Sequence, residues 1–191
     1  MFWIYKTEAY DENDARIHGR PEVLKEYNLH FGRGIRQSQE VPTIEIIIKK
    51  PLHGRLTDNL IAHGVRGLVI NQKLKQLFDA LEIDNVQYYP TIINNQVTNE
   101  LIHDYQTVNI IGRIKCFDFE KSDFEIDEDD GSIRFIDKLV LDEKVIQQTD
   151  LKLFRPADFS SIVLAHESVK NLIEANNISG VSFYHPEEFV L

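Results

Sequence analysis

Residues 67–90, GLVINQKLKQLFDALEIDNVQYYP, decide the fold, because residues 161–186, SIVLAHESVKNLIEANNISGVSFYHP, repeat their pattern. Laying Lys75 on Lys170, an offset of 95, pairs Leu77 with Leu172, Phe78 with Ile173, Asp79 with Glu174 and Ala80 with Ala175. The same offset pairs Ile83 with Ile178, Val86 with Val181, Tyr88 with Phe183 and Tyr89 with Tyr184. Upstream, a one-residue slip brings Leu68-Val69-Ile70 onto Ile162-Val163-Leu164. Each copy predicts a short apolar strand, an amphipathic helix of about three turns, and a second apolar strand that closes at a proline. Leu74, Leu77, Phe78 and Leu81 fall on one helix face, as do Val169, Leu172 and Ile173. Such a stripe must be buried. No catalytic residue type recurs between the copies, so the duplication reads first as a device for building core.

The rest follows outward from these units. A chain of 191 residues, 42% hydrophobic and 27% charged, suffices for one α+β domain with a mixed sheet and a few short helices. It can divide into two lobes, about residues 1–95 and 96–191, each built on one copy. Two strands joined by a helix adopt a right-handed parallel crossover by default if they share a sheet. Phe2-Trp3-Ile4-Tyr5 predicts an opening strand before the acidic turn Asp11-Glu12-Asn13-Asp14. Pro21 suits the first turn of a short helix over residues 21–29. Residues 43–48 predict a strand stopped by Lys49-Lys50-Pro51, and Thr57-Asp58 a cap for a short helix through Leu60-Ile61-Ala62. Residues 91–99 read as a loop or the start of a new strand pair. Residues 107–119, TVNIIGRIKCFDF, have strong β character.

Net charge is −10 and the pI about 5.1. That argues against a nucleic-acid or anionic-membrane binder and fits a basic protein partner. A single cysteine, Cys116, rules out an intramolecular disulfide, and inside a strand it predicts a small buried hydrophobe. No signal-peptide core and no run long enough to span a bilayer is present, so a cytoplasmic location is expected. The seven histidines, at 18, 30, 53, 63, 103, 166 and 185, lack metal-ligand spacing. Phe31-Gly32-Arg33-Gly34-Ile35-Arg36 sets a Gly-x-Gly beside two arginines, but it lacks the third glycine of a phosphate-binding fingerprint and reads as a flexible loop. The alternative is a phosphate site at Arg33 and Arg36, which would make the partner a nucleotide or nucleic acid. No metal site, cofactor or catalytic residue is expected.

The most distinctive polar feature is residues 118–130, DFEKSDFEIDEDD, which carry −7 of the chain's −10. A calcium loop with Gly131 as its turn glycine would need a ligand at Ile126, which breaks the pattern. Asp118 and Glu120 alternate to one side of a predicted strand, so a paired-carboxylate hydrolase or transferase using a distant histidine is the enzymatic alternative. A solvated hairpin tip between a strand at Phe117 and the strand Ile133-Arg134-Phe135-Ile136 accounts for the charge without function. The sharper reading makes Asp118, Glu120, Asp123, Glu125, Asp127, Glu128, Asp129 and Asp130 a negative surface that binds a basic protein.

The run LKLFRPADFSSIVLAHESVKNLIEANNISGVSFYHP, residues 151–186, together with Leu56-Thr57-Asp58 before Gly67-Leu68-Val69-Ile70, resembles a bacterial family. It is the eleventh immunity-protein family of polymorphic-toxin systems, formerly a domain of unknown function. The resemblance covers residues 50–190. It implies a small cytoplasmic α+β protein, not an enzyme, that binds and neutralises a cognate toxin in the producing cell. Nucleases are frequent among such toxins. A structural subunit of the toxin-delivery apparatus is the alternative from a third class.

Overall fold

The computed structural model describes residues 1–9, 11–50 and 54–191. Its elements run β1 (Phe2–Thr7), β2 (Arg16–Ile17), α1 (Glu22–Glu26), β3 (Ile44–Ile48), β4 (Ile61–Ala62), β5 (Leu68–Asn71) and α2 (Gln72–Ala80). They continue as β6 (Val86–Asn95), β7 (Glu100–Ile110), β8 (Arg113–Ile114), β9 (Asp123–Ile126), β10 (Ile133–Lys138) and α3 (Glu143–Gln147). The last are β11 (Leu153–Pro156), β12 (Val163–His166), α4 (Glu167–Ala175) and β13 (Val181–Tyr184). Short 3-10 turns occupy Phe31–Arg33 and Pro186–Glu188. The architecture is α+β, mostly sheet, with mixed pairing.

Both duplicated units form, and their elements align without the slip expected from sequence. β5 and β12, α2 and α4, and the starts of β6 and β13 each lie 95 residues apart. Leu68 therefore matches Val163 and Ile70 matches Ala165, all four in one shared core. The small Ala165 hides this register, because a search for apolar bulk favours Leu164. In each unit the two strands are parallel to one another but are not neighbours. An antiparallel strand lies between them, β7 in the first unit and β1 in the second. The filler comes from opposite directions. β7 follows β6 directly as a hairpin, whereas β1 arrives from the beginning of the chain.

The sheet orders follow as β3-β6-β7-β5 and β13-β1-β12-β11-β8. Leu74 and Phe78 of α2 and Val169 and Ile173 of α4 fill the core between these sheets, and each is 2% exposed or less. Burying such a side chain contributes about 1.5–3 kcal/mol. The opposite face of the first sheet packs on β2, α1 and the Phe31 turn, and that of the second on Cys116, Ile136 and Leu139.

The two helices end alike. The αL residues Glu82 and Asn177 stop them, Ile83 N–H reaches back to Phe78 C=O (3.0 Å), and Ile178 N–H to Ile173 C=O (3.2 Å). These are Schellman closures, which satisfy otherwise orphaned carbonyls. They begin alike too: Asn71 Oδ1 accepts from Leu74 N–H, and His166 Nδ1 from Ser168 N–H.

The segment Thr57-Asp58-Asn59 ties the units together. Asp58 Oδ2 accepts from Ser179 N–H (2.7 Å) and Ser179 Oγ–H (2.8 Å), while its Oδ1 accepts from Asn71 Nδ2 (2.8 Å). Asn59 Nδ2 donates to Thr7 Oγ1 and Gly180 C=O, and Tyr105 O–H donates to Thr57 C=O. Instead of capping a helix, Thr57 and Asp58 precede β4, which pairs in parallel with β2. Local capping chemistry is here recruited by tertiary partners.

Two other strand limits differ from expectation. β6 runs through Pro90 to Asn95, because β3 joins it only from Thr91 onward and leaves that side of Pro90 open. Residues 91–95 are therefore strand. The opening strand, the helix after Pro21 and β3 form as read from sequence. The Pro51 stop and His53 lie outside the described residues.

Candidate functional site

The acidic segment folds as a hairpin, but not from Phe117. Its strands are β9 and β10, with Phe124 opposite Ile136 and Glu125 opposite Phe135. Phe117 makes a single bridge to Leu141. Residues 118–122 form a turn, in which Asp118 C=O accepts from Ser122 N–H (3.0 Å) and Asp118 Oδ1 from Glu120 N–H and Lys121 N–H (each 3.2 Å). The Asp118 carboxylate competes with strand extension by bonding its own following backbone.

Apolar residues anchor the hairpin. Ile133 and Ile136 are buried, the Phe124 ring stacks on Phe117 (centroids 5.7 Å apart), and Phe119 meets it edge-on (5.2 Å). Ile136 and Leu191 exchange both backbone hydrogen bonds (3.1 and 3.0 Å). The tip is closed by its own acids: Asp127 Oδ1 accepts from Asp129 N–H, Asp130 Oδ1 from Ser132 N–H, and Arg134 pairs with Asp127 Oδ2.

The eight carboxylates thus divide by task. Asp118, Asp127 and Asp130 hold loops. The hydrogen bond from Lys121 keeps the Asp118 carboxyl below its ordinary range, and the Ser132 bonds do the same for Asp130. Glu120, Asp123, Glu125, Glu128 and Asp129 are exposed. Among the described residues, no intramolecular side-chain hydrogen bond or ion pair within 4 Å occupies the carboxylates of Asp123, Glu125, Glu128 or Asp129.

Three large apolar side chains stand among these charges. Phe119 is 52% exposed, Ile126 45% and Phe135 52%. A surface with apolar side chains framed by charge has the anatomy of a protein–protein interface, with a core that loses water and a polar rim.

As a catalytic pair, Asp118 and Glu120 do not line the described clefts. Asp118 is instead occupied by Lys121 at 2.6 Å. Among the described residues no group of three or more His, Cys, Asp or Glu side chains is placed to hold a metal ion, and no helix is long and apolar enough to cross a membrane. Cys116 is fully buried, and that burial pushes its thiol up to about 12, as suits a core hydrophobe.

Sequence reasoning reached only part of a second polar region: it weighed Arg33 and Arg36 as a phosphate cradle, preferred a flexible loop, and did not single out Arg66 or Arg155. The Phe31–Arg33 turn is closed by Gly34 in the left-handed region, and Arg33 faces a cleft shared with Arg66 and Arg155, whereas Arg36 does not line it. The signal was the arginine in the otherwise apolar Leu153-Phe154-Arg155-Pro156 strand, which is only 3% exposed.

Against known proteins, a family model described as an immunity protein family (Imm11) matches residues 4–188, nearly the whole chain. No curated protein matches it.

Proposed function

The chain belongs to the Imm11 immunity protein family, and on that premise we propose that it neutralises a cognate toxin by docking the acidic hairpin on the toxin's basic surface. The observation that carries this reading is the exposure of Phe119, Ile126 and Phe135 beside Asp123, Glu125, Glu128 and Asp129, whose carboxylates make no bonds within the chain among the described residues. Such residues supply burial at the centre of an interface, while the surrounding charge accelerates encounter and rejects acidic partners. Inhibition then comes from occlusion, with no catalytic step. A nuclease is the toxin class favoured by charge, since its substrate surface must be basic to hold phosphates. The setting is the cytoplasm of the producing cell.

Affinity capture from the native lysate, washed across a salt series, tests this. One variant changes Glu120, Asp123, Glu125, Glu128 and Asp129 to Gln or Asn; another carries Phe119→Ser and Phe135→Ser. A basic partner held by the wild type should elute from the charge variant at lower salt, and should not be retained by the apolar variant. Retention unchanged in both variants places the interface elsewhere.

A further inference from the structure

The second polar region is a cleft of about 750 Å³, walled by β1, the Phe31–Arg33 turn, β4, the start of β5 and the segment leading into β12. Lys6, His30, Arg33, His63, Arg66 and Arg155 line it, and no Asp or Glu side chain does. The last residue, Leu191, also lines it, with an oxygen that accepts from Ile136 N–H (3.1 Å) and, among the described residues, no ion pair to these cations. This is unexpected in a chain of net charge −10. Lys6 is engaged by Glu8 at 3.2 Å and lies over the Tyr184 ring. Arg33, Arg66 and Arg155 have no carboxylate within ion-pair distance among the described residues.

Arg155 is the anomaly. It is 3% exposed, yet only carbonyl oxygens meet its guanidinium: Ser160 C=O accepts from one terminal nitrogen (2.8 Å) and Arg66 C=O from the other (3.0 Å). Its Nε is buried and has no partner. Burial alone draws its pKa down to about 10, which leaves it charged at neutral pH. A buried cation without a counter-ion is strongly disfavoured unless an anion reaches it.

The backbone beside it is held in an uncommon state as well. Arg66 sits at φ 58, the left-handed region that non-glycine residues seldom occupy. That conformation accompanies the bond from its carbonyl to Arg155. Its exposed side chain runs against Gly32, where an added Cβ would lie 3.3 Å from the Arg66 Cβ. Strain of this kind persists where the surroundings over-determine it, as at ligand sites.

We propose that this cleft binds a phosphate-bearing small molecule, with Arg155 at the floor and Arg33 and Arg66 at the mouth. Three guanidinium groups without a carboxylate suit a multiply charged anion better than a single carboxylate, and planar guanidinium forks match phosphate oxygens. The volume is that of a small-molecule site. A nucleic-acid strand is disfavoured by the negative charge of the remaining surface. This site is separate from the hairpin and stands whether or not the hairpin binds a toxin.

The test is calorimetric titration of the full chain with pyrophosphate, ADP and adenosine at constant ionic strength set with chloride, paralleled by thermal melting. The variant is Arg33→Gln with Arg66→Asn, since asparagine tolerates the left-handed backbone and both side chains are exposed. Pyrophosphate and ADP should bind saturably and raise the melting temperature, and adenosine should not. The variant should weaken both anions by about tenfold or more. Equal affinity for the two anions assigns the site to the phosphate groups alone, and tighter ADP binding assigns it to a nucleotide. Absence of saturable binding by either anion, or equal binding by wild type and variant, overturns the proposal.

Discussion

The two strand-helix-strand units are alike where they face each other and unlike where the rest of the chain meets them. Their strand starts, helix limits, αL stops and Lys–acid pairs all recur at an offset of 95. At the matching positions Asn85 and Gly180 they part. Asn85 Nδ2 donates to Ile111 C=O and Leu153 C=O, tying the first unit to the second sheet. Gly180 instead yields space, since its Cβ would stand 2.1 Å from Asn59 C=O, and its φ is +82. What the units share builds core. The acidic hairpin lies in residues 115–150, between β8 and β11, and much of the basic cleft comes from residues before β5. The duplicated frame carries additions, and the additions carry the distinctive chemistry.

Removing the shared core should show whether the two halves are one cooperative unit. Phe78→Ala should cost about 3–5 kcal/mol and Ile173→Ala about 2–5 kcal/mol. Urea unfolding of each, followed by fluorescence and far-UV circular dichroism, should give one coincident transition. Separate transitions would make the halves independent.

The unlike positions come next. Gly180→Ala should cost about 2–4 kcal/mol through backbone strain and overlap with Asn59. Asn85→Ala should cost about 1–3 kcal/mol by removing the donor from the part-buried Ile111 and Leu153 carbonyls. Equal small losses in chemical denaturation would show that these positions are interchangeable.

Asp58 links the units through charge. Burial opposes its ionisation, but the Ser179 and Asn71 hydrogen bonds, aided by Lys73, outweigh that and hold its carboxyl below 3.8. Its contribution is therefore present in full above that value and is lost as pH falls through the lower folded-state value. Asp58→Asn should cost about 1–3 kcal/mol at neutral pH. It should also flatten the acid limb of stability measured by urea titration at successive pH values.

The smallest effect tests likeness itself. Lys75 pairs with Asp79 at 2.6 Å and lies over Tyr88, while Lys170 pairs with Glu174 at 2.7 Å and lies over Trp3. Lys75→Gln and Lys170→Gln should each cost about 0.5–1.5 kcal/mol, and equally within error. A marked inequality in melting would break the equivalence.

The duplication was legible because the 3.6-residue stripe of Leu74, Phe78, Val169 and Ile173 survives in any context. The fillers were not, since nothing in Phe2-Trp3-Ile4-Tyr5 says it will lie between β12 and β13. Pairing across the length of the chain is set by the whole sheet rather than by local pattern. The hairpin's charge was plain in residues 118–130, but its strand limits were not, because Asp118 folds its own backbone into a turn. That Ile126 and Phe135 face outward depends on the register of β9 and β10, and the exposure of Phe119 and the occupation of Asp118 depend on the turn that precedes them. Arg155 was visible as a residue, but its missing counter-ion is a property of three-dimensional surroundings.

Hydrogen exchange of the chain, free and bound to the captured partner, tests the interface most directly. Protection gained on binding should concentrate in residues 118–138, with α2 and α4 unchanged. Protection centred on α2 and α4 or on the basic cleft, with the hairpin exchanging as in the free protein, would contradict docking through the acidic hairpin.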